Sequence, residues 1–136
     1  MTTPPAIELV RCPALAQSVP YAYAAVAPAT TQIVFTAGAC PIDAAGTTVA
    51  IGDVSGQAEQ VMTNLRAALR AAGAELQDVV KTTVYVASPD RNDLLAAWEV
   101  VSRHFGPHDV PSTLLGVAVL GYEGQLVEVE AVAARP

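Results

Sequence analysis

Basic charge is scarce in this chain of 136 residues, where seven lysines and arginines stand against 13 aspartates and glutamates for a formal net charge of −6. The basic residues, Arg11, Arg66, Arg70, Lys81, Arg91, Arg103 and Arg135, are scattered rather than clustered. Affinity for nucleic acid rests largely on neutralised phosphates, so this balance argues against a dedicated nucleic-acid binder. No apolar run reaches about 18 residues, the length of a membrane span, and Met1 to Pro5 carries neither the basic flank nor the apolar stretch of an export signal. A cytoplasmic protein with no membrane partner is expected. Two cysteines, Cys12 and Cys40, are too few and too far apart for a metal framework, and free thiols are expected in a reducing compartment. The sequence also lacks the G-x-G-x-x-G, P-loop, G-x-S-x-G and H-E-x-x-H patterns, which leaves nucleotide-binding, serine-hydrolase and zinc-protease readings without support.

Apolar residues, in contrast, make up 52% of the chain and charged residues only 15%. A single domain over residues 1–136 cannot hide that much apolar surface, so association of subunits is expected. From Tyr21 to Val26 and from Thr31 to Ala37, β-favouring residues interrupted by Pro28 read as two strands joined by a short turn. The glycines Gly46, Gly52 and Gly56 keep the next stretch loop-like until a helical pattern begins near Ser55. There Ala58, Val61, Met62, Leu65, Ala68, Leu69 and Ala72 form an apolar stripe, Gln57, Glu59, Gln60, Arg66 and Arg70 lie largely on the other side, and Gly73 sits where a C-cap belongs.

The run Val79 to Val86 alternates as a central strand, with Val80, Thr82, Val84 and Val86 on one face. Leu94, Leu95, Trp98, Val101 and Phe105 then mark a second amphipathic helix that Gly106-Pro107 stops, and Trp98 reads as core. Two final strands, Ser112 to Leu120 and Leu126 to Ala133, are linked as a hairpin through the turn Gly121 to Gly124. The order is strands, helix, strand, helix, hairpin, with both helices covering one face of a single sheet. Val127, Val129 and Ala131 point toward the helices, which leaves Glu128 and Glu130 on the uncovered face. Packing that face against copies of itself gives a cyclic oligomer.

Several segments together resemble the Rid family, also called the YjgF or L-PSP family. They are Pro20-Tyr21, Thr36-Ala37-Gly38-Ala39-Cys40-Pro41, Asn64-Leu65, Ala71-Ala72-Gly73-Ala74, Asp78 to Val86, Leu115 to Leu120 and Val127 to Ala133. They fall in the family's order across nearly the whole chain. The resemblance implies an α+β, chorismate-mutase-like fold: a single mixed sheet with two helices on one face, assembled as a trimeric barrel with a small-molecule pocket at each subunit interface. It also implies hydrolysis of reactive enamines and imines derived from amino acids, giving a keto acid and ammonia with no metal and no cofactor.

Imine hydrolysis needs an aimed water, a group that takes and returns protons, and a hold on the substrate. Glu128 matches the glutamate of the deaminase branch and is the catalytic candidate; the alternative is a strand glutamate satisfied by a donor such as Lys81 or a backbone amide. Glu130 shares its face, about 7 Å along the strand, and reads as a trimer-contact or solvent-facing residue. Tyr21, Gly38, Cys40, Ser112 and Thr113 are the substrate-binding candidates. Tyr21 either caps the pocket or is an interface tyrosine. Cys40 either lines the pocket wall or is a small buried residue.

The deaminase branch fixes its substrate carboxylate with an arginine at the start of the penultimate strand, where this chain aligns Ser112, or Thr113 if the register slips by one. Neither carries charge, so the chain resembles a divergent member whose substrate differs from amino-acid-derived imines. The alternatives are a noncatalytic metabolite-binding trimer and, from older family labels alone, a ribonuclease or translation inhibitor. His104 and His108 are four apart, but Gly106-Pro107 breaks the helix between them, and no metal site is expected there.

Overall fold

The structure is a computed structural model that describes residues 7–136, so the Met1 to Pro5 segment lies outside the described residues. Its elements are β1 (Glu8–Val10), β2 (Ala24–Val26), β3 (Gln32–Phe35), α1 (Val54–Ala71), β4 (Val79–Val86), α2 (Arg91–Phe105), β5 (Ser112–Gly116) and β6 (Val127–Arg135), with a short 3-10 turn at Leu76–Asp78. A four-stranded mixed sheet in the order β3-β6-β4-β5 forms the body of the fold. Both helices lie on one of its faces, in the α+β arrangement the resemblance implies. No helix among the described residues is long and apolar enough to cross a membrane.

The core is the interface between helices and sheet. Met62, Leu65 and Leu69 of α1 and Val101 of α2 are fully buried against Val84 and Val86 of β4 and Val127 and Val129 of β6. Each such side chain contributes on the order of 1.5–3 kcal/mol of hydrophobic transfer. Local chemistry sets the helix ends. Asp53 caps α1 by accepting from the Gly56 amide, Asp90 caps α2 by accepting from the Asn92 amide, and Gly73, at φ 79°, takes the left-handed turn after α1.

The connectivity corrects the sequence reading in three places. The strand expected from Tyr21 shortens to Ala24–Val26 and pairs not with β3 but with β1, in a separate two-stranded ribbon. The expected terminal hairpin is absent, because β4 inserts between its strands: β5 runs parallel to β4, and β6 runs antiparallel to both β4 and β3. A parallel pair requires a crossover, and α2 supplies it. At the start of β4 a bulge between Val79 and Lys81 shifts the alternation, so Val79 rather than Val80 enters the core.

Four helix assignments also change. Ala68 and Leu95, placed on apolar stripes by spacing, are exposed, because each lies at the margin of its helix's buried arc. Trp98 is half-buried and packs against the core from its edge. Gln57, placed on the polar side of α1, is fully buried: its Nε2 donates to the Gly124 carbonyl at 2.9 Å and its Oε1 accepts from the Leu126 amide at 2.7 Å. This amide fastens the loop before β6 to the first turn of α1.

The face opposite the helices carries Ile33 and Phe35 of β3, Glu128, Glu130 and Val132 of β6, Lys81, Thr83 and Tyr85 of β4, and Thr113 and Leu115 of β5. Phe35 is 77% exposed, Ile33 49% and Leu115 42%, so the described chain leaves this apolar surface uncovered.

Candidate functional site

Glu128 occupies a prepared seat. Beyond β3 the chain keeps pairing with β6: the Thr36 amide donates to the Ala131 carbonyl while its Oγ1 accepts from the Ala131 amide, and Ala39 and Val129 exchange backbone hydrogen bonds. Three steps on one strand face two on the other, so the segment bulges and brings Gly38 beneath the Glu128 side chain. A Cβ at residue 38 would meet Glu128 Oε2, Cδ at 2.6 Å and Cγ at 2.9 Å. Glycine lets the carboxylate rest in this place; any side chain there would displace it.

Two donors hold the carboxylate. The Cys40 thiol donates to Glu128 Oε1 at 3.2 Å, and the Gln125 Nε2 donates to the same oxygen at 3.2 Å. Gln125 is buried and fixed in turn, its Nε2 reaching the Val127 carbonyl at 3.1 Å and its Oε1 accepting from the Tyr122 amide at 3.0 Å. Asn64, on α1, steadies the Cys40 loop by donating to the carbonyls of Cys40 and Ile42, each at 2.8 Å. Glu128 Oε2 has no hydrogen-bond partner among the described residues. No buried side-chain oxygen there is left unpartnered, so Oε2 is not fully buried, although it packs over Gly38. Burial, followed by the hydrogen bond and negative charge of Glu128, pushes the Cys40 thiol up to about 11, so it remains a protonated donor at neutral pH.

Lys81, the donor offered to Glu128 by the sequence reading, is engaged elsewhere. Its Nζ donates to Thr113 Oγ1 at 2.5 Å. In strand register Ser112 lies opposite the buried Thr82, so it belongs to the helix side, and its hydroxyl donates to the Val110 carbonyl at 2.8 Å. Thr113, one residue on, shares the open face with Lys81 and the glutamates. Between the two residues considered at the arginine position, Thr113 is the one on the same face as Glu128. Lys81 is the single lysine or arginine on that face among the described residues.

Glu130 Oε1 accepts from the Tyr85 hydroxyl at 2.6 Å, and this bond, then burial and the nearby carboxylates, raises the phenol above its ordinary value. A cavity of about 240 Å³ beside it is lined by Phe35, Thr36, Lys81, Thr83 and Glu130. Tyr21 stands in another cavity of about 440 Å³ with Ser112, Thr113, Leu95 and Trp98, and its ring meets Tyr23 edge-on with centroids 5.9 Å apart. The candidates therefore fall into two groups within one chain: Gly38, Cys40 and Glu128 in the first, Tyr21, Ser112 and Thr113 in the second. His104 Nε2 and Glu59 Oε2 are 2.7 Å apart, bridging the helices, and His108 Nε2 lies 2.8 Å from the Val79 carbonyl.

Gln125 was not legible as a site residue, since a glutamine in a glycine-rich turn reads as surface. Its place three residues before Glu128 is the only signal the sequence offers.

The sequence model of the family described as Endoribonuclease L-PSP matches residues 12–135. The chain belongs to the L-PSP (Rid) family. Among its relatives, a RutC family protein of Pyrococcus horikoshii is 37% identical over 102 residues, which are 75% of this chain and 79% of that protein. A 2-iminobutanoate/2-iminopropanoate deaminase of Salmonella typhimurium is 36% identical over 107 residues, 76% of this chain and 80% of that one. Among solved structures, a conserved Rid family protein of unknown function from Yersinia pestis superposes with a TM-score of 0.84 at 27% identity, covering 94% of this chain and 98% of that one. E. coli TdcF with bound serine superposes with a TM-score of 0.67 at 30% identity, covering 87% and 90%. Relatives named as imine deaminases support a deaminase-like chemistry for this Rid protein in general terms.

Proposed function

We propose that this Rid protein hydrolyses a reactive enamine or imine, releasing ammonia, with Glu128 as the proton-transfer group. The observation that carries the reading is the Glu128 carboxylate seated over Gly38, with one oxygen anchored by two donors and the other without a hydrogen-bond partner among the described residues. In the forward direction the carboxylate takes a proton from water as the hydroxyl adds to the carbon of a protonated imine. It returns that proton to nitrogen, then takes the hydroxyl proton of the carbinolamine as the C–N bond breaks and passes it to the departing ammonia, so that a carbonyl compound and ammonium leave; an enamine enters the same route once its carbon is protonated. All atoms come from substrate and one water.

The substrate is held without an arginine fork, which sets it apart from imines of amino acids clamped in that way. The Lys81 ammonium, held by Thr113, supplies a point charge for an anionic group instead. Lys81 and Glu128 are separated by four residues of strand register, roughly 13 Å, more than a small imine spans. A second copy over the exposed Phe35, Ile33 and Leu115 would join one chain's Glu128 to its neighbour's Lys81 and Tyr21, and a homotrimer with interface pockets is the assembly proposed.

The absent arginine favours a second reading, a trimer that binds a metabolite without turning it over. Ammonia release from freshly generated imines separates the two. Equal rates for the native protein and Glu128→Ala exclude the catalytic role, and ligand-dependent thermal stabilisation without turnover favours the binding module. The ribonuclease named in the family description gains little from an open face with one cation; RNA affinity with a steep salt slope would revive it.

A further inference from the structure

We propose that Cys40 and Gln125 are positioning residues that occupy Glu128 Oε1 and so assign proton exchange with the substrate to Oε2. This rests on the reading of Glu128 as the proton-transfer group. A glutamate side chain on a strand has three rotatable bonds, and a carboxylate free to spin presents either oxygen to the reacting centre. Here one orientation is favoured. Oε1 receives the Cys40 thiol and the Gln125 amide, each at 3.2 Å, while Oε2, Cδ and Cγ lie over the bare Cα of Gly38, which offers no side-chain partner.

The two donors are themselves anchored to different parts of the fold. Cys40 sits in a loop whose carbonyls at Cys40 and Ile42 are held by Asn64 of α1. Gln125 is 4% exposed and tied to Val127 and Tyr122 in the turn before β6. Neither anchor moves without its own element moving, so the carboxylate plane is fixed relative to both α1 and β6. Oε2, lacking a hydrogen-bond partner among the described residues and not fully buried, is the oxygen left for water.

Both donors are neutral, which matters for chemistry. A cation at Oε1 would form an ion pair and oppose uptake of a proton, whereas a thiol and an amide orient the group and leave it able to accept one at the other oxygen. The thiol suits the role because it stays protonated well above neutral pH, with Oε1 at 3.2 Å the nearer of its two acceptors and the Gly38 carbonyl at 3.4 Å the other.

The test is steady-state kinetics and pH–rate profiles of Cys40→Ala, Cys40→Ser, Gln125→Ala and Gln125→Glu beside Glu128→Ala, with folding checked by thermal melting. Expected are a fall in kcat of tenfold or more for Cys40→Ala and Gln125→Ala with KM within twofold, and recovery to within threefold of native by Cys40→Ser, which restores a donor. Gln125→Glu keeps the shape and the Tyr122 contact but sets a second carboxylate against Oε1, and the acidic limb of its kcat profile moves to higher pH by one unit or more. Values of kcat within twofold of native for both alanine variants, or losses confined to KM, overturn the proposal while Glu128→Ala remains inactive. Full activity of Glu128→Ala overturns the underlying reading instead. If the Gln125 variants fail to fold, the Cys40 pair decides alone: equal kcat for Cys40→Ala and Cys40→Ser counts against the assignment.

Discussion

The Cys40 thiol donates to Oε1 of Glu128 at 3.2 Å, so the charge of the carboxylate and the titration of the thiol are coupled. The thiol's folded pKa, about 11, lies above its ordinary 9.0. A raised value means that the folded state holds the proton more tightly. The associated stability is therefore complete below pH 9.0 and is lost as pH rises through about 11. In a Cys12→Ser background, thiolate absorbance against pH is expected to show this high midpoint, and Glu128→Gln is expected to bring it down toward the ordinary value. Alkylation of Cys40 at pH 8 follows the same order, slow in the native protein and faster in Glu128→Gln. A midpoint indifferent to Glu128 would mean that the thiol is held up by burial alone.

Gly38→Ala tests the seat itself. The new methyl carbon would overlap Oε2, Cδ and Cγ of Glu128, so the carboxylate must swing away and leave the two donors at Oε1. The carboxylate end is flexible, and the expected stability loss is modest, about 1–2 kcal/mol, while ammonia release drops tenfold or more. In a Glu128→Ala background the same substitution has nothing to displace. Its destabilisation should then shrink to a few tenths of a kcal/mol, a coupling that a double-mutant cycle of denaturation measures directly.

How far the sequence carried these residues depends on the range of the signal. The helices, β4 and the inward faces of β4 and β6 follow from periodicity, because apolar spacing is local and burial repeats it; hence Glu128 could be assigned to the uncovered face from Val127, Val129 and Ala131 alone. Strand pairing is not local. Nothing between Ser112 and Ala133 says that β4, some thirty residues earlier, separates the two last strands, and the glycine-bearing turn Gly121 to Gly124 suggests a hairpin instead. The same limit explains the site. Gly38 and Cys40 could be named from the family resemblance, but their contact with Glu128 depends on a bulge between Thr36 and Ala39 that shows no periodic trace. Gln57 and Gln125 are polar residues buried to satisfy backbone groups, which hydropathy reads with the wrong sign.

Lys81→Met addresses the charge that Thr113 cannot supply. Removing a charged hydrogen-bonding group from an anion site costs about 1.5–3 kcal/mol, so KM for a carboxylate-bearing imine should rise tenfold or more. The corresponding amide, which has no anion to pair, should be turned over as in the native protein. A parallel calorimetric comparison of a 2-oxo acid with its amide gives the same contrast without relying on turnover. Equal losses for acid and amide would assign Lys81 a structural part at the sheet face.

Gln57 makes a prediction about how the fold holds the site in place. Its two hydrogen bonds, to the Gly124 carbonyl and from the Leu126 amide, are the side-chain link between α1 and the turn that carries Gln125. Gln57→Leu preserves volume but leaves a carbonyl and an amide without partners in a buried setting, at a cost of about 1–3 kcal/mol for a group so orphaned. The loss should appear locally as faster hydrogen exchange at Leu126 and Gln125, with core amides of β4 following global stability. Because Gln125 positions Glu128, the variant should also lose activity at temperatures where it remains fully folded. If exchange at Leu126 is unchanged while melting temperature falls, Gln57 stabilises α1 alone and the turn is held by β6.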